Sequence, residues 1–425
     1  MQNLEKIKLA IIGMGYVGLP LAVAFGKVRE VIGFDINEER IKALVKNHDE
    51  TLEVLEEEFI EAKGLKFSND INDISNCNFY IVCVPTPITD KKKPDLSPII
   101  SATKLIAKVL KKGDTIVYES TVFPGVVEDH CRPVIEDITN FILNNDFFLG
   151  YSPERINPGD KKNTIQSIVK ITSGSNDVTS ELVDALYKTI ISAGTYKASS
   201  IKVAEAAKVI ENIQRDVNIA LINELSIIFN KLDIDTEEVL KAAETKWNFI
   251  PFRPGLVGGH CIGVDPYYLS HKSEEIGYIP QIINTGRKMN DGMPKHVCSL
   301  LLKSMSKKMI DLSDSKILIM GYTFKENCPD TRNTRVKDIA QILSDLKISI
   351  DIFDPWIPEK FSIENKKINF IKWPQKGVYD ALIIAVAHKQ FTSLKPQDFM
   401  SFCKSDNIIV DLKYVIPKEY SDIRL

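Results

Sequence analysis

Short apolar runs alternate with longer amphipathic stretches through the first half of the chain. KLAII (8–12), VREVIGFD (28–35), NFYIVCVPTP (78–87), DTIVYEST (114–121) and DFFLGYSPE (146–154) are the apolar runs. Each is short, rich in β-branched or aromatic residues and followed by turn-forming residues, so each predicts a buried strand. NEERIKALVKN and PIISATKLIAKVLKK lie between them with apolar residues at helical spacing. Strands alternating with helices predict an α/β fold with a parallel, doubly wound sheet. Near residue 200 the pattern changes. SSIKVAEAAKVIENIQRDVNIALINELSIIFNKL contains no Gly or Pro and predicts one helix of about 35 residues, far above the usual length. A helix that long bridges domains or builds a subunit interface. DTEEVLKAAETK follows as a second helix, with Asp235 as its N-cap. From 315 onward the strand pattern returns in SKILIMGYTFK, ISIDIFDP, DALIIAVAH and NIIVDLK. The expected layout is an N-terminal Rossmann domain (1–198), a central helical domain (199–305) and a C-terminal Rossmann-like domain (306–425).

Composition narrows the class without naming a chemistry. The chain has 425 residues, 44% hydrophobic and 26% charged, with a formal net charge of −3. That balance gives no electrostatic reason to expect nucleic-acid or membrane-surface partners. MQNLEKIKLAII does not read as a signal peptide, and no apolar run has the length of a membrane span. Seven cysteines stand singly, at 77, 83, 131, 261, 298, 328 and 403. An odd number without paired spacing predicts reduced thiols in the cytoplasm, and no Cys/His ladder suggests a metal.

Candidate chemistry begins at GMGYVG. Gly13, Gly15 and Gly18 follow a predicted strand and open a predicted helix, which is the context a dinucleotide-binding turn requires. The first glycine permits the turn, the second lets backbone approach a pyrophosphate, and the third allows close helix packing. Asp35 ends the next strand, where a carboxylate can hold both ribose hydroxyls, and so predicts NAD over NADP. The second stretch is GLVGGHCIGVDPYY (255–268), where glycines surround Cys261 and Asp265 follows four residues later. Taken alone, Cys261 is an inert core thiol, a metal ligand or a nucleophile. The metal reading lacks partner ligands, for Cys261 and for His260 beside it. Lys208 and Asn212 are four apart on the long predicted helix and share a face.

These motifs fall in an order that resembles the UDP-glucose/GDP-mannose dehydrogenase family. GMGYVGLP, TVFPG, YSPERINPGD, EAAKVIEN, GGHCIGVDP and GYTFKENCPDTR carry the resemblance over essentially the whole chain. The wording around ERINPGD and KWNFIPFRPGLVGGHCIGVDPYYL is similar to the branch acting on UDP-N-acetylhexosamines, which makes uronates for bacterial capsules and O-antigens. The resemblance implies an NAD-dependent oxidation of CH₂OH to COO⁻, consuming two NAD per sugar, by a dimer or multiple of dimers joined through the long helix. It implies that Cys261 adds to the aldehyde as a thiohemiacetal and carries the product as a thioester. Lys208 and Asn212 would stabilise the developing oxyanion. Asp265 would orient water or the lysine, Glu154 would assist thioester hydrolysis, and Thr121 would hold the water.

Tyr16, Val17, Arg40, Pro85, Thr86, Thr121 and Arg332 join the glycines and Asp35 as expected cofactor contacts. Glu154, Arg155, Lys208, Asn212, Arg253, Gly258 and Lys325 are the expected substrate contacts, Arg253 from a neighbouring subunit. Asp330 and Arg332 also suit an internal ion pair.

The chain departs from some members in two places. Val264 stands where they carry a lysine, and Glu154 is followed by Arg155, Ile156, Asn157 and Pro158 rather than by a second glutamate. Arg155 and Asn157 are therefore expected to face an N-acetyl group or a diphosphate. UDP-glucose and UDP-ManNAc remain alternative substrates with the same chemistry. A nucleotide-sugar epimerase would need a Tyr-x-x-x-Lys pair, which the chain does not place suitably. A catalytically silent binding protein would have no use for the Thr121, Glu154, Lys208, Asn212, Cys261 and Asp265 set.

Overall fold

The structure is a computed structural model that describes residues 4–89, 91–156, 164–259, 262–358 and 361–425. Its chain divides into two compact units, Met1–Glu211 with Tyr267–Ile279, and Asn212–Pro266 with Pro280–Leu425.

The first unit is built on a six-stranded parallel sheet. Its strands are β1 (Leu9–Ile12), β2 (Val31–Phe34), β3 (Leu65–Ser68), β4 (Phe79–Val82), β5 (Thr115–Tyr118) and β6 (Phe148–Tyr151), in the order β3-β2-β1-β4-β5-β6. The central strands β1, β4 and β5 are buried along their whole length, which is why they read as unbroken apolar runs. The edge strand β3, LKFS, is half-solvated; it offers no such run and is absent from the sequence reading. Helix Gly18–Gly26 packs into the core with nearly every residue buried, and its Phe25 meets the Tyr187 ring edge-on at 5.9 Å. Burial of such a side chain stabilises the fold by roughly 2–3 kcal/mol. Beyond β6, β7 (Lys170–Thr172) and β8 (Thr195–Lys197) form a short parallel pair, with helix Asp177–Tyr187 between them in sequence.

The long helix runs over Ile201–Lys231, 31 residues, slightly shorter than expected from the pattern. Asp235 caps the following helix, Thr236–Ala243, by accepting from the Glu238 amide at 3.0 Å.

The second unit repeats the plan of the first. β9 (Lys316–Met320), β10 (Ser349–Phe353), β11 (Ile368–Phe370), β12 (Tyr379–Ile384), β13 (Cys403–Asp411) and β14 (Ile423–Arg424) pair in the order β11-β10-β9-β12-β13-β14. The four predicted runs are β9, β10, β12 and β13; the two missed strands are the short edges. The repetition extends to single hydrogen bonds. The Gly13 amide donates to Phe34 at 2.8 Å, and the Gly321 amide donates to Phe353 at 2.8 Å. Both glycines have positive φ, +97° and +93°. Asp35 accepts from the Met14 amide at 2.8 Å, and Asp354 accepts from the Tyr322 amide at 2.6 Å. No glycine-rich turn follows Gly321, however, and Asp354 is buried against His388 at 3.1 Å.

Candidate functional site

In the first unit the expected cofactor residues gather at the carboxyl ends of β1, β2, β4 and β5. β1 and β4 flank the point where the strand order reverses, the usual place for a nucleotide in this architecture. The three glycines have separable reasons. A Cβ on Gly13 would lie 3.1 Å from the Cys83 carbonyl carbon, and one on Gly18 only 1.8 Å from the Gly13 oxygen. Gly15 is exposed and a Cβ there would meet nothing within 4 Å, so its open face is where a ligand can approach. Helix Gly18–Gly26 starts after Val17, which makes no side-chain capping bond. Leu19 donates to the Gly15 carbonyl at 3.2 Å and Pro20 has no N–H, so the Gly18 amide and the helix dipole are what this N-terminus offers an anion. Tyr16 and Val17 are half-buried. Asp35 also accepts from the Asn37 amide at 2.9 Å, which fixes its carboxylate at the strand tip. Arg40 lies behind the turn, donating to the Met14 carbonyl at 2.9 Å and pairing with buried Asp49 at 2.8 Å. Pro85 is exposed. Thr86 donates to the Thr121 carbonyl at 2.6 Å and accepts, through its own carbonyl, from Tyr268 at 2.5 Å. These observations fit NAD: an open glycine turn, a helix N-terminus without a side-chain cap and a ribose-level carboxylate.

Three expected catalytic residues also belong to this unit. Thr121 follows β5, Glu154 follows β6 and Lys208 lies on the long helix. Lys208 is 7% exposed, and its ammonium has no hydrogen bond or ion pair among the described residues. With no such protein partner, its three N–H donors remain for solvent or a ligand. Glu154 is buried and fully engaged. One carboxylate oxygen accepts from the Arg155 and Ile156 amides at 2.6 and 2.7 Å, and the other meets the Lys170 ammonium at 3.0 Å. Arg155 turns to Glu211 at 2.7 Å and to the Val169 carbonyl at 2.9 Å. Glu205, three residues before Lys208, accepts from the Gly125 and Val127 amides at 2.5 and 3.0 Å. It thereby pins the TVFPG loop that follows Thr121 to the long helix. Burial raises the Glu205 carboxyl to about 7 against those amides. Neither Lys170 nor Glu205 was singled out from sequence. A lysine within the apolar run SIVKITSG was the available signal for the first.

In the second unit Asn212 donates to Asp265 at 2.6 Å, both buried. Asp265 opens helix Asp265–Glu275, and Val264 before it is buried. Upstream, Asn223 exchanges two hydrogen bonds with Gly255, at 2.8 and 3.0 Å. His260, Cys261 and Asn157 lie outside the described residues, but the flanks of Cys261 are informative. A Cβ on Gly258 would sit 2.6 Å from the Asn333 carbonyl oxygen. Gly259, at φ +83°, would place its Cβ 2.7 Å from the Phe324 ring. These two glycines are demanded by protein atoms rather than by ligand clearance. Downstream, the Ile262 carbonyl accepts from Arg287 at 3.3 Å, and Arg287 is held by Asp216 at 2.6 Å.

The remaining expected residues surround that loop or lie near it in sequence. The Lys325 ammonium lies 5.6 Å from the Phe324 ring centre. Asp330 and Arg332 form the internal pair, bidentate at 3.0 and 2.8 Å, with the Arg332 side chain half-exposed. Arg253 pairs with Glu237 at 2.6 Å and with Glu244. The other six cysteines are all buried. Burial raises the Cys77 thiol to about 11 and those of Cys131, Cys298 and Cys403 to about 12, and it pushes the Cys83 thiol well up from its ordinary value too. These five thiols are poor nucleophiles at neutral pH.

Comparison with known proteins assigns the two halves. Three models of the UDP-glucose/GDP-mannose dehydrogenase family match in chain order. They are its NAD binding domain over residues 7–191, its central domain over 202–292 and its UDP binding domain over 318–418. The chain is 56% identical to UDP-N-acetyl-D-glucosamine 6-dehydrogenase of Pseudomonas aeruginosa, covering 99% of this chain and 100% of the relative. It is 47% identical to Protein CapL of Staphylococcus aureus, covering 96% of each. Among solved structures, the UDP-D-ManNAc dehydrogenase of Pyrococcus horikoshii superposes with a TM-score of 0.88 at 28% identity over 98% of both chains.

Proposed function

The chain belongs to the UDP-glucose/GDP-mannose dehydrogenase family, and from that premise we propose that it oxidises C6 of a UDP-N-acetylhexosamine, UDP-GlcNAc or UDP-GalNAc, to the uronate for surface-polysaccharide synthesis. The observation that carries the chemistry is Lys208: a residue only 7% exposed whose ammonium has no protein partner among the described residues, one helical turn before Asn212. The full-length relatives at 56% identity support the sugar.

NAD held at the Gly13–Gly18 turn and Asp35 would supply the hydride acceptor for both oxidations. Lys208 stabilises the alkoxide and later the oxyanion, because a pre-placed cation in a dry site needs no reorganisation as charge develops. Asn212 adds a donor, its amide fixed by Asp265. The Cys261 thiolate bonds to the aldehyde carbon and so retains the intermediate. The thioester left after the second oxidation is attacked by water, with Glu154 receiving the proton and Thr121 positioning the water. Arg155 and Asn157 are assigned to the N-acetyl group or diphosphate, and Lys325 and Arg253 to the nucleotide sugar; for Arg155 and Arg253 this requires exchanging their present carboxylate partners for substrate.

We further infer a cytoplasmic homodimer. Among the described residues no helix is long and apolar enough to cross a membrane. Ile210, Leu221 and Ile228 on the long helix are 53%, 52% and 44% exposed, an apolar series that a second copy would cover.

Initial rates on UDP-GlcNAc, UDP-GalNAc, UDP-ManNAc, UDP-Glc and GDP-Man test the sugar. A preference for an N-acetylhexosamine at the gluco or galacto configuration is expected, with two NADH formed per sugar. Preference for UDP-Glc, or one NADH per sugar, would reject the reading. Preference for UDP-ManNAc would keep the chemistry and change the sugar, as the fold likeness to the Pyrococcus horikoshii protein allows.

A further inference from the structure

The Lys170 ammonium serves two carboxylates, not one. It lies 3.0 Å from Glu154 and 2.8 Å from Glu119, at the end of β5. Lys170, Glu119 and Glu154 are each at least nine-tenths buried. Glu119 is held on its other oxygen by the Tyr187 hydroxyl, from helix Asp177–Tyr187, and the Lys170 ammonium also lies 5.3 Å from the Tyr187 ring centre. Cys83, after β4, is the remaining titratable group facing the cluster. Burial raises the Cys83 thiol and the Tyr187 phenol, so both are neutral at working pH. Arg155 is occupied by Glu211.

The charge count is therefore uneven. One ammonium between two ionised carboxylates leaves a buried net charge of minus one. A one-to-one pair would be neutral and would resist taking up a proton; this cluster gains neutrality by taking one. Burial, offset by Lys170 and reinforced by Glu154, raises the Glu119 carboxyl to about 7.

We propose that Lys170 and Glu119 are positioning residues for Glu154: the shared ammonium holds its carboxylate in place, while the competing carboxylate leaves the cluster as a whole one proton short of neutral. This rests on Glu154 acting as the base of thioester hydrolysis. In that step the water oxygen bonds to the thioester carbonyl carbon and its proton passes to Glu154. The carbon–sulfur bond breaks and the Cys261 thiolate is released, with no oxidation or reduction. Protonation brings the Glu119–Lys170–Glu154 cluster to zero net charge.

The test uses the full-length enzyme with UDP-GlcNAc and NAD, following uronate release in single turnover as a function of pH. The acidic limb of that profile reports the base. Glu119→Gln removes the competing charge and is expected to move the limb down by about one pH unit. Lys170→Met removes the cation and is expected to move it up by about one unit. Opposite shifts are not produced by simple structural damage. Limbs that stay at the wild-type position in both variants, with rate and melting temperature merely falling together, would overturn the proposal. If Lys170→Met does not fold, the near-isosteric Glu119→Gln decides alone. Glu154→Gln examines the underlying reading separately. Accumulated acyl-enzyme with hydrolysis slowed 100-fold or so is expected; wild-type hydrolysis in that variant would remove Glu154 as base, whatever the other variants do.

Discussion

At the residue scale, Glu154 and Lys208 differ in how far the protein itself engages them. Glu154 has a hydrogen bond on each carboxylate oxygen, whereas Lys208 has no acceptor among the described residues. Sequence spacing placed Lys208 and Asn212 on one helix face, while their expected catalytic roles came from the family resemblance and not from the spacing. It could not find Lys170, since the sixteen positions that separate it from Glu154 are bridged only when β7 is in place. The cysteines give a direct prediction. Six of seven are buried, so limited iodoacetamide treatment of the native enzyme should modify Cys261 selectively, with loss of activity in proportion, as peptide mass mapping would reveal. Cys261→Ser should stall after the first oxidation or trap an ester; two NADH per sugar at wild-type rate in that variant would eliminate the thioester route.

At the element scale, the long helix anchors the loop after Thr121 as well as carrying the proposed catalytic side chains Lys208 and Asn212. Glu205 accepts two amides of the segment after Thr121 at a cost in solvation. Its carboxyl rises from 4.5 to about 7 by burial, so between those values the folded state binds more protons than the unfolded chain. The Glu205 contribution to stability therefore falls as pH rises through that window, on the order of 3 kcal/mol in all. Glu205→Gln should make the slope of melting temperature against pH less negative between pH 5 and 7, measured by thermal scanning. An unchanged slope would mean that the carboxyl is not buried with a raised pKa. The helix itself was legible as an unbroken helical pattern, as were the central strands as apolar runs. The edge strands β3, β11 and β14 were not, because a strand solvated on one side or only two or three residues long leaves no distinctive period. The glycines around Cys261 were visible, but their reason was not: only the fold places Asn333 and Phe324 against them.

At the scale of the whole molecule, the proposed dimer makes the long helix a shared element. Ile228→Glu would place a charge in the proposed seam, and light scattering should then report a shift toward monomer at micromolar concentration; an unchanged mass would move the interface elsewhere. The two sheets share one strand order, and that repetition was visible in the sequence only as two sets of apolar runs, because hydrogen bonds such as those of Gly13 and Gly321 conserve geometry without conserving side chains. The first unit has a further property: it is interrupted. Its last piece, Tyr267–Ile279, arrives after residues 212–266 have been assigned to the other unit, and within it Tyr268 ties down the Thr86 and Pro87 carbonyls. During synthesis at roughly 5–20 residues per second, the strands of the first sheet emerge on the order of ten seconds before this fastening segment exists. The nascent nucleotide-binding half therefore lacks the Tyr268 fastening of its Thr86–Pro87 segment until more than half of the polypeptide has been made.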